Sequence, residues 1–325
     1  MFLSQRCKGL FRAFALISVL VLVAVLSTIA LEFSRRSGIG LRMAINYADS
    51  KKAYFYAFGG YKAALALLMT DRNNYDGIGD PWYGELPTIP IDNGSIVVTI
   101  EDEKARYNVK KLITDYGIED RRRRSMLERI FQFLEIEPEL IDGITDWQDS
   151  DDYPMPMGAE AQYYNSQTPP YEPRNAPILT LGELILVRDV TRELYFMPPS
   201  RLSQSVQDEL QPLSHYLTVY GDGMININTA ELPILIGLSK DIDRSIAEDI
   251  ISYREAQAFE KPEDLKNVDS ITDLLYDEIA SLITVRSDLF RITSSGKCGE
   301  FIRTITAVVL RGNRGVRVVY FSRSL

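Results

Sequence analysis

The stretch that decides the fold is FALISVLVLVAVLSTIAL, residues 14–31, which carries no charge along its whole length. As a helix it would be about 27 Å long at about 1.5 Å per residue, close to the ~30 Å hydrocarbon core of a bilayer. Arg6, Lys8 and Arg12 precede it, as in a secretory signal peptide. The run is longer than a usual signal core, however, and no clear A-x-A site with a polar break follows it. It therefore predicts a helix that stays in the membrane.

Beyond this run, apolar residues recur at helical spacing and indicate that the helix continues to about Met69. They are Ile39, Met43, Tyr47, Tyr54, Phe58, Tyr61, Leu65 and Leu68. Asp71-Arg72-Asn73-Asn74 then stops the helix. Arginines lie on both sides of the apolar run, so charge alone does not fix its orientation in the membrane. The pattern predicts one helix over 14–70, apolar first and amphipathic later.

Two groups of strands bracket a helical block. The predicted strands are Ile96–Ile100, Ala105–Val109, Leu289–Ser294, Phe301–Leu310 and Val316–Phe321, with a tight turn at 311–315. The predicted helices between them are Arg121–Phe133, Pro138–Trp147, Asp243–Phe259 and Ser270–Ile283. The sequence thus predicts an α+β fold, in which a long N-terminal helix and an antiparallel sheet receive a large, mostly helical insertion. The predicted segments are 1–13, 14–70, 71–109, 110–287 and 288–325.

Composition argues against several classes of function. The net charge of −9 would repel a nucleic acid. A single histidine, His215, excludes the usual His-based zinc sites and catalytic triads. Neither a Gly-x-Ser-x-Gly motif nor a P-loop occurs, so we predict that the chain is not an enzyme. The four arginines at 121–124 are expected to form a solvated face, with a docking patch for an acidic neighbour as the alternative.

Several short motifs occur in a characteristic order along the chain. They are ALISVL at 15–20, ARYNV at 105–109, ITDWQDSD at 144–151, GAE at 158–160, YY at 163–164, PY at 170–171, NAP at 175–177, EL at 183–184 and ININTA at 225–230. Together they resemble the K-type minor pseudopilins of type II secretion, and the resemblance covers nearly the whole chain. It implies a pilin-like fold.

The resemblance implies a structural role at the tip of a periplasmic pseudopilus, which supports filament assembly and the export of folded proteins across the outer membrane. The implied partners are the minor pseudopilins I and J, with pseudopilin H, the major pseudopilin G, the prepilin peptidase and the inner membrane. No nucleic acid is expected. The chain would cross the inner membrane once, with its C-terminal domain in the periplasm.

The resemblance also implies that a leader is cleaved before the apolar run and that the new N-terminus is methylated. The cut would fall between Ala13 and Phe14. Because the residue before the cut is usually glycine, Gly9 before Leu10 remains the rival site. Pilins carry a glutamate at the fifth mature position, which neutralises the N-terminus of a neighbour. Counted from Phe14 that position is Ser18, which suits a subunit with no neighbour above it.

The long loop 148–177 contains many oxygen-bearing side chains and has little periodicity. A structureless loop of this length is unusual inside a domain, so a bound ion is expected to organise it. Asp149, Asp151 and Glu160 stand at positions one, three and twelve of an EF-hand spacing, but Pro154 replaces the required glycine, so a true EF-hand is excluded. The candidate ligands are Asp146, Asp149, Asp151, Asp152, Glu160 and Asn175. K-type pseudopilins bind calcium in the matching region, so the resemblance implies calcium as the cation of this loop. A solvated acidic loop and a glycosidase-like carboxylate pair are the alternatives.

Residues 225–285 also resemble a helix-hairpin-helix module, which binds DNA phosphates through a Gly-x-Gly hairpin. Here the hairpin reads GLSKDI at 237–242, with one glycine. Residues 230–285 contain 13 acidic and 5 basic side chains, a net charge of 5 − 13 = −8, which is the wrong sign for phosphate. We therefore interpret the module as a protein-contact scaffold and keep a membrane-anchored DNA-binding or DNA-uptake protein as the alternative function.

Overall fold

The computed structural model describes residues 3–198, 210–312 and 315–324, and side chains from residue 14 onward. The helices are α1 Leu3–Thr70, α2 Arg121–Phe133, α3 Leu140–Asp146, α4 Ala161–Asn165, α5 Arg192–Phe196, α6 Leu213–Tyr216, α7 Leu232–Leu238, α8 Arg244–Ala256 and α9 Asp273–Ile279. The strands are β1 Gly84–Glu85, β2 Ile89–Ile91, β3 Gly94–Asp102, β4 Tyr107–Asn108, β5 Leu217–Thr218, β6 Ile225–Asn226, β7 Ile283–Thr284, β8 Leu289–Cys298, β9 Phe301–Gly312 and β10 Gly315–Arg323.

Helix α1 is continuous over 68 residues, and it ends at Thr70 as the sequence predicts. Its first part is long and apolar enough to cross a membrane, with a mean hydropathy of 2.8 and none of that window buried. Its last third packs on the sheet. The helix therefore exposes its most apolar part and buries a less apolar part.

The main sheet is antiparallel in the order β1-β3-β8-β9-β10, with β2 also paired to β3. Helix α1 crosses one face, and small residues allow close contact: Ala53, Ala57, Gly60 and Ala64 are all buried and recur at spacings of three and four. Strand β8 matches them with Gly296, where a Cβ atom would lie 2.2 Å from the carbonyl oxygen of Ala53. The predicted C-terminal meander is confirmed.

The residues between the two groups of sheet strands form a separate hydrophobic cluster around Tyr107, Phe131, Tyr164 and Phe259, distinct from the cluster around Trp82. Predicted helix Arg121–Phe133 is confirmed to the residue, because Asp120 caps it and Met126, Leu127 and Ile130 face inward. The helix predicted over 270–283 is shorter, and Ile283–Thr284 instead forms a strand parallel to Ile225–Asn226.

The strand predicted over Ala105–Val109 is wrong for all but two residues. Only Tyr107–Asn108 pairs as a strand, and a 3₁₀ turn lies on each side of it. The side chains of Asp102 and Asn108 accept hydrogen bonds from the backbone amides of Lys104 and Lys110, which stabilises these turns at the expense of a ladder.

The prediction of a solvated arginine face is wrong for two of its four members, and a third, Arg122, is exposed but donates to Ser281 Oγ at 2.9 Å. Arg123 donates to the carbonyl oxygen of Gly223 at 2.6 Å. Arg124 forms ion pairs with Glu119, Glu128 and Asp142 at 2.7, 2.8 and 2.6 Å. These two guanidinium groups hold α2 to its surroundings and are not free to dock a partner.

A buried polar joint connects the sheet to the helical block. Asp102, at the end of β3, is 2% exposed. One of its oxygens accepts from Asn226 Nδ2 at 2.9 Å, Thr229 Oγ1 at 2.6 Å and Ser287 Oγ at 2.5 Å. Because these donors come from the helical block and from the segment that leads back to the sheet, one carboxylate ties three parts of the chain together.

Candidate functional site

The candidate metal loop starts at the end of the buried helix α3. The amide of Asp149 donates to the carbonyl oxygen of Thr145 at 3.0 Å, and the amide of Asn175 donates to the carbonyl oxygen of Trp147 at 3.1 Å. Both ends of the loop are therefore fixed beside one helix end. Trp147 itself packs edge-on against Tyr164, with ring centroids 5.2 Å apart, which anchors the loop to the hydrophobic core.

Three carboxylates converge at the mouth of this loop. Asp149, Asp151 and Glu160 each place an oxygen within 4.8 Å of the other two. Glu160 is buried, Asp149 is half-buried and Asp151 is exposed, so the group spans the boundary between interior and solvent. Such convergence of like charges is unfavourable unless a cation or protons compensate it.

The oxygens of the group lack the partners that buried polar atoms normally have. Asp149 Oδ1, both carboxylate oxygens of Glu160 and Asn175 Oδ1 are buried without a hydrogen-bond partner among the described residues. Leaving a buried acceptor unpaired costs about 1–3 kcal/mol, and more when it is charged. Calcium takes six to eight oxygen ligands, so an arrangement of unpaired oxygens fits this cation.

The electrostatics of the loop agree with its geometry. Burial, together with the charge of Asp151, raises the pKa of Asp149 to about 6. Burial, with Asp146 and Asp149 nearby, raises the pKa of Glu160 to about 7. Without a cation Glu160 therefore keeps part of its proton near neutral pH and Asp149 takes up its proton at a slightly lower pH, and a divalent cation would displace these protons.

The other two predicted carboxylates lie outside the convergent group. Asp146 is fully buried and accepts from the amide of Met155 at 3.0 Å. Gly158 packs against it so closely that a Cβ atom would lie 1.9 Å from Asp146 Oδ2, so Asp146 positions the loop. Burial, with Asp149 nearby, raises the pKa of Asp146 to about 7. Asp152 is exposed and lies outside the group.

Sequence reasoning missed a second support of the loop. Asp142 lies one helical turn before Asp146 and accepts from the amide of Met157 at 3.1 Å, while Arg124 holds its other oxygen at 2.6 Å. The spacing of Asp142 and Asp146, four residues apart on one helix, was a signal that both face the loop. Arg124 gave no such signal, since its run of arginines resembles a solvated face.

A second acidic group, formed by Asp71, Asp76 and Asp80, has a different environment. Arg311 binds Asp71 at 2.7 Å and Asp76 at 2.5 Å. Asp80 accepts from the amide of Gly77 at 2.8 Å and from Asn73 Nδ2 at 2.6 Å. Because donors from the chain already compensate these carboxylates, this group connects the end of α1 to the sheet and does not fit a metal.

The hairpin of the helix-hairpin-helix module is buried against the protein over 237–239, whereas Lys240 and Asp241 are exposed. Arg129 of α2 donates to the carbonyl oxygen of Gly237 through Nε at 3.0 Å and through its terminal nitrogen at 2.7 Å. A Cβ atom at Gly237 would lie 2.7 Å from Ile130. The amides of Asp241 and Ile242 donate to Ser239. Backbone amides hold phosphate in DNA-binding modules, and these two amides of the hairpin already have intrachain partners, which does not favour the nucleic-acid alternative.

The N-terminal candidates lie on α1. Ser18 donates its hydroxyl to the carbonyl oxygen of Phe14 at 2.9 Å, so its polar group is satisfied within its own helix. Phe14 is exposed. The backbones of Gly9, Leu10 and Ala13 belong to α1, while their side chains lie outside the described part, and the two cleavage sites both stay predictions.

Comparison with known proteins gives concordant results. Residues 105–197 match the family model "Type II secretion system (T2SS), protein K", and residues 222–284 match a helix-hairpin-helix motif. The chain is 27% identical over 319 residues to type II secretion system protein K of Pseudomonas aeruginosa, covering 94% of this chain and 90% of that protein. It is 24% identical over 318 residues to the protein of the same name from Aeromonas hydrophila, covering 92% of each.

A solved structure has the same fold. It is the GspK-GspI-GspJ complex of the type 2 secretion system from enterotoxigenic Escherichia coli, one chain of which superposes with a TM-score of 0.67 at 17% identity. The match covers 88% of this chain and 99% of that chain. The predicted α+β class is therefore confirmed.

Proposed function

The chain belongs to the type II secretion system protein K family, and from this premise we propose that it is a structural minor pseudopilin at the tip of the pseudopilus, with no chemistry of its own. It would support assembly of the filament and, through it, the export of folded proteins across the outer membrane.

The observation that carries this proposal is the division of α1. Its apolar segment over 14–31 is exposed along its whole length, whereas its last third lies against the sheet. A helix that leaves its most apolar part uncovered needs an apolar environment, which either lipid or the core of a helical filament supplies. A single-pass anchor followed by a periplasmic head is the arrangement that we propose.

Ser18 supports a position at the tip. An internal subunit needs a carboxylate near its N-terminus to compensate the amine of its neighbour, because an unpaired charge in lipid is costly. The hydroxyl of Ser18 is uncharged and donates to the carbonyl oxygen of Phe14, so it cannot compensate the amine of a neighbour. A subunit of this kind suits the end of the filament, where no amine follows.

We propose minor pseudopilins of the I and J types as direct partners, since the K-type protein of the structural neighbour is found in a complex with them. Pseudopilin H, the major pseudopilin G and the prepilin peptidase are further proposed partners. The tagged full-length chain should co-purify I- and J-type pseudopilins from detergent-solubilised membranes. Deletion of its gene should abolish or impair secretion of the exported proteins, with restoration by the wild-type chain. Normal secretion after deletion would contradict the proposal.

N-terminal sequencing of the membrane-extracted protein tests processing separately. A methylated Phe14 is the expected result, whereas a methylated Leu10 would establish the rival site at Gly9. Removal of the first thirty residues as an export leader would contradict the anchored subunit altogether, because no apolar helix would then remain to join a filament.

We also propose calcium as the cation of the acidic loop. Asp149, Asp151 and Glu160 would hold it, with Asn175 as a further oxygen donor, and Asp146 would position the loop around it. The bound ion would supply the positive charge that compensates these carboxylates. The unpaired buried oxygens of Asp149, Glu160 and Asn175 support this assignment.

A further inference from the structure

We infer that the outer edge of strand β10 is a docking site for an extended, acidic segment of another protein, which would add a strand to the sheet. Strand β10 is the last in the sheet order and is nine residues long. It pairs with β9 on one side, and no described strand lies on its other side. At the opposite edge, by contrast, β1 and β2 both cover β3.

Native proteins protect a free edge with short strands, proline, bulges or charged side chains, above all lysine, because unpaired backbone groups recruit other strands. The charged residues of β10 are Arg317 and Arg323. Strand β10 contains no proline and no lysine. Its one irregularity, at Val319, interrupts the pairing with β9 but leaves four paired residues on each side. The edge is therefore long enough on both sides of the bulge to pair with an incoming strand.

The side chains of β10 offer apolar contacts on both faces of such a strand. Val318, Val319, Tyr320 and Phe321 are 45, 45, 39 and 44% exposed. Phe321 packs edge-on against Tyr61 of α1, with ring centroids 5.7 Å apart, and so extends the apolar surface onto the helix. Four consecutive half-exposed apolar residues are unusual on an unpartnered edge strand.

The positive charge of the C-terminal strands indicates that the partner segment is acidic. Residues 301–325 contain five arginines and no acidic residue, in a chain whose net charge is −9. Arg311 is used by Asp71 and Asp76. Arg317 and Arg323 are exposed and have no ion pair within the described part of the chain. An acidic segment would be attracted to this edge, and a basic one would be repelled.

The test uses the full-length chain in detergent and a fluorescein-labelled peptide of about ten residues, matched to the length of β10, in which aspartates alternate with valines and threonines. Fluorescence anisotropy should show binding that weakens with salt. The double variant Arg317→Glu/Arg323→Glu should bind at least about tenfold more weakly, since two attractive contacts become repulsive. Arg121→Glu, which reverses an exposed arginine on α2, is the matched control and should bind as the wild type does.

A second peptide with the same side chains but N-methylated at every backbone amide, so that neither edge can donate to a ladder, separates strand addition from simple charge attraction. It should not bind, because the ladder hydrogen bonds are blocked. Hydrogen exchange should show protection of β10 by the unmodified peptide, while unchanged exchange in β8 verifies that the variants are folded. Equal binding of both peptides, unaltered binding by the double variant, or association only with further copies of this chain would each overturn the inference.

Discussion

At the scale of single residues, Asp149 and Glu160 are the side chains whose environment most requires a ligand, since their buried oxygens have no partner among the described residues. We expect Asp149→Asn and Glu160→Gln each to weaken calcium binding by at least about tenfold, because the amide keeps one oxygen but removes the negative charge that holds the cation. Isothermal titration calorimetry of the full-length chain in detergent measures this directly.

The matched control is Asp152→Asn, which neutralises a carboxylate of the same loop that lies outside the convergent group. Its calcium affinity should stay within about twofold of the wild type, because a solvent-exposed charge contributes little. Equal losses in all three variants would mean that the loop attracts cations only through its general charge, and the assignment of ligands would be wrong.

The same residues predict a pH dependence. Glu160 and Asp149 have pKa values raised to about 7 and about 6, and both must lose protons to bind a cation. The apparent calcium affinity should therefore fall as the pH is lowered from about 7.5 to about 5. Calorimetry at several pH values, in buffers of different ionisation enthalpy, should also detect proton release near pH 6.5. An affinity that is independent of pH over this range would contradict the site.

At the scale of elements, the close packing of α1 on the sheet gives a prediction with an internal control. A Cβ atom at Gly60 would lie 2.4 Å from Ser294 Oγ and 2.6 Å from Ile96, whereas one at Gly59 would meet nothing within 4 Å. Gly60→Ala should lower the free energy of unfolding by about 1–3 kcal/mol through overpacking. Gly59→Ala should leave it unchanged or raise it by up to about 1 kcal/mol. Urea unfolding of the full-length chain checks both.

If Gly59→Ala and Gly60→Ala were equally tolerated, α1 would not lie as close to β3 and β8 as described. If both were destabilising, the exposed side of the helix would itself be packed in the detergent-solubilised protein, which would indicate an oligomer. The two neighbouring glycines thus distinguish internal packing from contacts between copies.

Elements whose formation depends on local signals could be predicted from the sequence. Helix α2 was predicted to the residue, since its cap at Asp120 and its apolar spacing lie within a few positions. Strand Ala105–Val109 was predicted wrongly, because its apolar alternation competes with hydrogen bonds from Asp102 and Asn108 that the pattern does not reveal. Local propensity decides the outcome only where no side chain offers the backbone another partner.

The predictions about the candidate site also succeed where the residues are close along the chain and fail where folding brings them together. Asp149, Asp151 and Glu160 lie close together along the chain, so the sequence was sufficient to group them. The separate role of Asp146 depends on its contact with Gly158, twelve positions along the chain, which the folding of the loop creates. The packing of the hairpin on Arg129, more than a hundred residues away, lies further beyond local reasoning. Contacts across the fold, and not residue types, decide which polar groups remain available to bind a ligand.

At the scale of the whole molecule, two hydrophobic clusters are joined through the buried carboxylate of Asp102. Each cluster contains one tryptophan: Trp82 lies against the sheet and Trp147 lies in the helical block. A filament subunit that carries load from a membrane helix to its head needs these clusters to behave as one unit. The joint at Asp102 is placed to couple them, next to buried Glu103, which accepts from Arg291 of β8 and from Thr218 of the helical block.

Replacement of Asp102 by alanine should uncouple the two clusters. The donors on Asn226, Thr229 and Ser287 would lose this acceptor inside the protein, at a cost of about 2–4 kcal/mol. In single-tryptophan variants made with Trp82→Phe or Trp147→Phe, urea unfolding of the otherwise wild-type chain should give coincident fluorescence transitions. Asp102→Ala should separate them, whereas Asp115→Ala, which removes an exposed carboxylate, should not. Coincident transitions in Asp102→Ala would mean that apolar contacts between the clusters suffice to couple them, and that the polar joint only specifies how they fit together.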